Sequence, residues 1–401
     1  MIYTSRVLGK VLAPIIGRPT LPVFEFDRAN IVDPDGRIRP FDPIKGFTAD
    51  PLSLQPAKHR RDLVVSAWRL AHAVVRADAV RTQFATRLAT LSFFLQIAPL
   101  IEWSGGALRL ARGVSSAFAD FSGTSLAGRV GQGLAFVAMN DLGYAFSSHY
   151  PREHNKTGPD FIFEDAAAQR ANVEAKGSFV DPGTDTNPKG KLNEAIQQLN
   201  DAGAPTPKSF GTSAYLREEG DAHEEPSLLA LVDPPASGLW TGASGHSVRR
   251  ESYACWLELM RLPSLAAALR GKGRRALDRR LSYPILEQMG REFVVAVEGT
   301  FTSFPPSTQT KPAEGQSSGP WYRRSHVVGL DLAIFRRLTS MTVGSHGSDD
   351  LLDLKLVRAD SSDLGEPEDG GFRGSVMLDG SLMGDVAPKV LRSAPKESFL
   401  A

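Results

Sequence analysis

The most informative stretch of this sequence runs from residue 158 to residue 176. It opens with Gly158-Pro159-Asp160-Phe161-Ile162-Phe163 and closes with Glu174-Ala175-Lys176. The aromatic run after Asp160 and the partly alternating run around Glu174 each predict a β-strand. Because side chains alternate across a strand, Glu174 and Lys176 should share one face while Ala175 points away. If the two strands pair as a hairpin, Asp160 is expected beside Glu174.

This juxtaposition predicts a metal site. Two neighbouring carboxylates repel each other unless a cation binds between them. Mg²⁺ prefers oxygen ligands and keeps several waters, so Asp160, Glu174 and the backbone carbonyl of Ala175 are candidate ligands, with Mn²⁺ as an alternative ion. Lys176 could orient or help deprotonate a metal-bound water and stabilise the charge on a phosphorane-like transition state.

The arrangement resembles the PD-(D/E)XK nuclease superfamily, which has the restriction-endonuclease-like fold. Pro159-Asp160 and Glu174-Ala175-Lys176 carry the resemblance. The predicted order of elements is similar too: a helix over 126–147, the hairpin, a helix over 191–201 and a strand over 209–216. The resemblance covers roughly the middle third of the chain. It implies an α/β core with a central mixed sheet flanked by helices, and Mg²⁺-dependent hydrolysis of DNA phosphodiester bonds. Asp160 and Glu174 would be metal ligands and Lys176 the catalytic lysine.

The acid-x-Lys tripeptide alone is a weak signal, since about one or two matches are expected by chance in a chain of this size. A second match, Asp353-Leu354-Lys355, could pair with Asp331. The first match is favoured because Asp160 follows a proline and opens an aromatic strand, and because small residues and then a helix follow Lys176. Taken singly, these residues could be a strand start and a solvated ion pair; together with the element order they favour a nuclease.

The flanking helices offer supporting side chains. Many members of the superfamily carry another acidic residue on the helix before the hairpin. Here that helix offers Gln132, which is neutral, and Asp141, which lies further along. On the helix after the hairpin, Glu194, Gln197 and Gln198 could support the site or contact phosphate. An ordinary polar helix face explains them equally well, and Gln132 and Gln198 are the two predicted supports.

A basic cluster lies further along the chain. Its first members are Arg270, Lys272, Arg274 and Arg275. Such a cluster can bind DNA phosphates with an affinity that falls as the salt concentration rises. The alternative interpretation is a solvated helix or loop.

Charge, cysteine content and hydropathy restrict the class of protein and its expected compartment. The chain has 401 residues, a formal net charge of +1 and one cysteine, Cys255. The charge gives no global basic field. A single thiol makes no intramolecular disulfide and is typical of a reducing compartment, so we expect a cytoplasmic protein. The longest apolar stretch, 88–101, is shorter than the ~20 residues that span a bilayer, so no membrane contact is expected. Phosphate-loop and dinucleotide motifs are absent from the sequence.

We expect three regions: an N-terminal arm and helical region over 1–120, a nuclease-like core over 121–300, and a C-terminal extension over 301–401. Extra segments at both ends, without helicase or methylase motifs, suit restriction or anti-phage defence, as a homodimer or with a partner protein. The rival hypothesis is a catalytically silent nucleic-acid-binding or scaffold protein with the same fold. The joint presence of Asp160, Glu174 and Lys176 argues against that rival.

Overall fold

The described part of the chain is a mixed α/β structure with two seven-stranded sheets. The computed structural model describes residues 17–26, 58–82, 89–117, 121–150, 159–184, 188–201, 208–221, 227–232, 247–271, 280–303, 322–343, 363–364 and 371–400.

The first sheet contains the predicted hairpin. Its strands are β1 (Thr20–Phe26), β2 (Lys58–Val64), β5 (Tyr144–His149), β6 (Phe161–Asp165), β7 (Arg170–Phe179), β8 (Lys208–Leu216) and β9 (Leu228–Val232). Their order is β2-β1-β9-β8-β7-β6-β5. The β7–β8 and β1–β9 pairs are parallel and the other neighbours are antiparallel. β3 (Ile101–Glu102) and β4 (Arg109–Leu110) form a separate two-stranded sheet.

Helices pack on the two sheets and between them. They are α1 (Ala67–Thr82), α2 (Ala89–Gln96), α3 (Val114–Ala117), α4 (Phe121–Asp141), α5 (Pro188–Asp201), α6 (Val248–Leu259), α7 (Pro263–Leu269), α8 (Leu332–Val343) and α9 (Pro388–Ser393). Parallel neighbours need a crossover connection, and α5 supplies it between β7 and β8. Within the described ranges, no helix combines the length and the apolar character needed to cross a bilayer.

Small residues let α4 pack closely between α1 and the sheet. A Cβ atom on Gly133 would lie 3.0 Å from Leu70 Cδ1 of α1 and still closer to the Val74 side chain. Gly131, two residues earlier, faces β7 instead. Each glycine costs up to ~1 kcal/mol relative to alanine inside a helix. These small residues therefore allow α4 to lie close to both α1 and the sheet.

The second sheet is formed by the C-terminal part of the chain. Its strands are β10 (Arg280–Gln288), β11 (Arg291–Ser303), β12 (Tyr322–Asp331), β13 (Asp363–Leu364), β14 (Arg373–Val376), β15 (Ser381–Val386) and β16 (Lys396–Leu400). The order is β13-β14-β15-β12-β11-β10-β16, antiparallel throughout. The boundary predicted at residue 300 falls inside β11, so the C-terminal sheet begins nearer Arg280.

A buried network of polar side chains connects this sheet to α1. Arg76 of α1 forms an ion pair of 2.5 Å with Asp379, and both side chains are almost fully buried. His72, one turn earlier, lies between the Ser375 and Ser381 hydroxyls at 3.4 and 3.0 Å. Burial, followed by the charge of Arg76, holds the pKa of His72 well below its ordinary value. Buried polar groups with partners of this kind fix one relative placement of the elements that carry them.

Several local predictions need correction. The region over 1–120, expected to be an arm and helical region, also contains strands: β4 occupies Arg109–Leu110, before the short α3. The helix expected over 126–147 ends at Asp141, and its last residues belong to β5. Gly143, with a φ of +94°, makes the turn between them. In the same N-terminal region over 1–120, β1 and β2 extend the first sheet.

Candidate metal and catalytic site

The β6–β7 hairpin brings Asp160 and Glu174 to the same point of the sheet. β6 and β7 pair antiparallel with Phe161 opposite Val173, so Asp160 lies immediately before the first residue of β6. The Asp160 backbone N–H donates to Glu174 Oε2 at 3.0 Å, and the Ala175 N–H donates to Asp160 Oδ2 at 3.2 Å. The two residues therefore hold each other through backbone amides, and both carboxylates are almost fully buried.

Lys176 shares this site. Its Nζ lies 2.7 Å from Glu174 Oε1 and donates to Gln198 Oε1 of α5, also at 2.7 Å. The lysine side chain is 21% exposed whereas that of Glu174 is 4% exposed. The ammonium group therefore lies between the buried carboxylate and solvent, with an amide oxygen of α5 fixing its position. Of the two predicted supports, Gln198 is in direct contact with the site.

Burial makes the charge on Glu174 costly. Desolvation, followed by the nearby charge of Asp160, raises the pKa of Glu174 to about 7, although Lys176 partly opposes the shift. A carboxylate in this situation is stabilised by any further positive charge that reaches it. A divalent cation between Asp160 and Glu174 would supply that charge.

The donor set suits a hard cation. Among the described residues, no cluster of three or more His, Cys, Asp or Glu side chains could hold a metal ion. Two carboxylates remain, which fits Mg²⁺ or Mn²⁺ because such ions retain waters and accept a backbone carbonyl such as that of Ala175. The role of that carbonyl stays a prediction. Zinc, which favours nitrogen and sulfur ligands, fits this pair less well.

The helix before the hairpin supplies Gln132 but not Asp141. Gln132 is 5% exposed, and its amide oxygen has no hydrogen-bond partner among the described residues. It follows Gly131, which faces β7, so it lies on the part of α4 that packs against the sheet. Asp141 instead pairs with Arg61 at 3.1 Å and with Arg69 at the far end of α4. Asp141 is therefore engaged away from the hairpin.

The other candidates on α5 are less closely tied to the site. Glu194 forms an exposed ion pair with Lys191 at 3.0 Å. The Gln197 side chain lies outside the described part of the structure.

The second acid-x-Lys match receives no support from Asp331. Its Oδ1 accepts from the Ala333 and Ile334 N–H groups at 3.0 and 3.2 Å, and its Oδ2 pairs with Arg291 at 2.7 Å. Asp331 thus caps the start of α8, a common structural role for aspartate. Asp353, Leu354 and Lys355 lie outside the described residues.

The basic cluster begins with an arginine that has partners inside the protein. Arg270, at the end of α7, pairs with Glu251 at 2.8 Å and with Glu258, both on α6. Its guanidinium thus joins two helices, and its predicted DNA contact stays a prediction. Lys272, Arg274 and Arg275 lie outside the described ranges.

Two residues that support the hairpin were not anticipated. Thr212 of β8, which is fully buried, donates its hydroxyl to the Glu174 backbone carbonyl at 3.3 Å. Arg249 of α6 pairs with Glu164 of β6 at 2.7 Å and donates to two carbonyls of the hairpin turn, both at 2.9 Å. Only tertiary structure brings these side chains to the hairpin, so no local sequence pattern indicates them.

No protein-family model matches the sequence, and neither the curated proteins nor the solved structures give a match. The function is therefore inferred from the residues of the site.

Proposed function

We propose that this protein is a Mg²⁺-dependent nuclease of the PD-(D/E)XK type that hydrolyses phosphodiester bonds in DNA. One observation carries the proposal: the β6–β7 hairpin brings Asp160, Glu174 and Lys176 together, with the lysine 2.7 Å from Glu174 and partly exposed. Mn²⁺ is proposed as an alternative ion. A role in restriction or anti-phage defence, in the cytoplasm and as a homodimer or with a partner protein, belongs to the same proposal.

The chain's residues have distinct tasks in this proposal. Asp160 and Glu174 would hold the ion, which when bound supplies Lewis-acid activation of the phosphate and of the attacking water. Lys176 would donate a hydrogen bond to the attacking water or to the charge that develops on the phosphate. Gln198 would keep the Lys176 ammonium aimed at that position. Since Lys176 is partly exposed while Glu174 is buried, the substrate would approach from the lysine side.

The arrangement of the first sheet supports the fold assigned by resemblance. Gly177 of β7 meets α4, whereas Lys176 meets α5, so the two helices cover opposite faces of the strand. An antiparallel hairpin, a crossover helix and a parallel strand follow in sequence. This order is the one expected for a restriction-endonuclease-like core, which we propose within residues 121–300.

The alternative function is a catalytically silent nucleic-acid-binding or scaffold protein. The ion pair between Lys176 and Glu174 favours it, because the lysine neutralises the buried carboxylate without a metal. A buried pair of this kind can be purely structural.

Incubation with DNA separates the two functions. The wild-type protein is mixed with supercoiled plasmid and with single-stranded DNA, in Mg²⁺, Mn²⁺ or EDTA. The nuclease hypothesis predicts nicks or breaks that require the ion and disappear in Asp160→Asn. A folded protein that binds DNA but leaves both substrates intact with either ion would support the alternative.

A further inference from the structure

We infer that Gly131 of α4 is a positioning residue for Lys176. It allows the helix backbone to touch the backbone of β7 directly behind the lysine, and this contact sets where the Lys176 side chain begins. The inference rests on the proposed nuclease function in assigning Lys176 a catalytic role. It assigns no chemistry to Gly131 itself.

The contact is between backbones, with no side chain in between. A Cβ atom placed on Gly131 would lie 2.7 Å from the Lys176 carbonyl carbon and 2.8 Å from the Gly177 Cα. A Cβ atom placed on Gly177 would lie 3.1 Å from the Gly131 Cα and would overlap the Ala127 carbonyl. Backbone atoms cannot rotate away as a side-chain end can, so either methyl group must push the helix and the strand apart.

The strand is held from both faces at this point. On the face of α5, Gln198 accepts a hydrogen bond from Lys176 Nζ at 2.7 Å. On the face of α4, Gly131 and Ala127 lie against the backbone of Lys176 and Gly177. Moving the strand away from α4 therefore changes the distance of the ammonium from Gln198 of α5. Displacing a catalytic group by about 1 Å can lower the rate by about 100-fold.

The same helix contains two controls. Gly128 has nothing within 4 Å of its Cβ position, so Gly128→Ala adds a methyl group without contact. Gly133 faces the Leu70 and Val74 side chains of α1, so Gly133→Ala disturbs the packing of α4 without pressing on β7.

The test measures DNA cleavage and the reactivity of Lys176 in Gly131→Ala and Gly177→Ala. We expect kcat to fall by about 10- to 100-fold while KM for DNA changes by less than about threefold, since only the transition-state interaction is lost. Labelling of Lys176 by an amine reagent, measured by mass spectrometry relative to Lys191, should rise several-fold. Gly128→Ala should change neither quantity, and Gly133→Ala should lower the unfolding temperature without lowering kcat.

Amine labelling of Lys176 tests its positioning even if the protein cuts no DNA. If the wild type cuts no DNA but Lys176 labelling rises in Gly131→Ala and Gly177→Ala, the nuclease proposal fails and the positioning stands. Unchanged kcat and labelling in both variants would overturn the inference, as would an equal effect of Gly128→Ala or Gly133→Ala. If neither Gly131→Ala nor Gly177→Ala folds, the contact serves folding and the inference is also wrong.

Discussion

At the residue scale, the protonation of Glu174 links the site to pH. Its pKa is raised to about 7 by burial and then by Asp160. The folded state therefore binds this proton more tightly than the unfolded state does. The resulting stabilisation is complete below the ordinary pKa of glutamate and is lost as the pH rises through about 7. A cation bound between Asp160 and Glu174 would favour the charged form of Glu174 and so oppose the rise in its pKa.

We predict that Mg²⁺ binding strengthens as the pH rises from 6 to 8. The ion must displace the Glu174 proton, so its affinity should increase roughly tenfold over this range. Isothermal titration calorimetry in buffers of different ionisation enthalpy should show about one proton released at pH 6 and almost none at pH 8. Glu174→Gln should bind Mg²⁺ weakly at every pH. An affinity in the wild type that does not change with pH would contradict this account.

The residues of the site differ in how far the sequence could predict them. Alternation along β7 places Glu174 and Lys176 on one face, which is a local rule. Gln198 could be suggested only as one of several polar residues on the following helix. Thr212 and Arg249 reach the hairpin from β8 and α6. Such contacts depend on tertiary packing, for which a single sequence carries no local signal.

At the element scale, the β6–β7 hairpin depends on α6. Arg249 is 2% exposed and pairs with Glu164, itself buried, while also donating to two turn carbonyls. Without Arg249, Glu164 would keep Arg170 as an ion-pair partner at 3.1 Å, but both turn carbonyls would lose this donor.

We predict that Arg249→Ala lowers the free energy of unfolding by about 2–4 kcal/mol, because buried hydrogen bonds to the turn are lost while Glu164 keeps Arg170. Urea denaturation followed by circular dichroism would measure the loss. The matched control is Arg250→Ala on the next residue of α6, which should cost less than about 1 kcal/mol because its side chain is partly exposed. Equal losses in the two variants would show that Arg249 does not hold the hairpin.

Sequence patterns predicted the elements of the β6–β7 hairpin region better than other strands of the first sheet. The strands around Asp160 and Glu174 and the helix after them are found where expected, because each has a clear local pattern. β1 and β5 were not predicted as strands. β1 pairs with β9 and β5 pairs with β6, so non-local pairing decides their structure and overrides local propensity.

At the scale of the whole molecule, the C-terminal sheet and the first sheet are joined through α1. Arg76 and Asp379 form the buried ion pair at this junction, and Ser252 of α6 also accepts from Arg76 at 2.6 Å. Arg76 and Asp379 are 303 positions apart in the sequence, so no local pattern could indicate this connection. The two sheets should therefore unfold together.

We predict that Asp379→Ala destabilises the protein by about 3–5 kcal/mol, because Arg76 would remain buried without its partner. Differential scanning calorimetry should show one transition in the wild type and a lower unfolding temperature, or two separate transitions, in the variant. Glu397→Ala removes the exposed partner of Arg336 and should cost no more than about 1 kcal/mol. A variant at Asp379 as stable as the wild type would argue against the junction.

Single-turnover cleavage of plasmid DNA by the wild type, Lys176→Ala and Lys191→Ala tests the central claim most directly. Lys191 is an exposed lysine of α5 paired with Glu194, so it controls for the loss of a positive charge. We predict Mg²⁺-dependent cleavage by the wild type, a loss of at least about 100-fold in Lys176→Ala, and nearly full activity in Lys191→Ala. Cleavage that persists unchanged in Lys176→Ala, or no cleavage by the folded wild type, would contradict the assignment of this site as a nuclease centre.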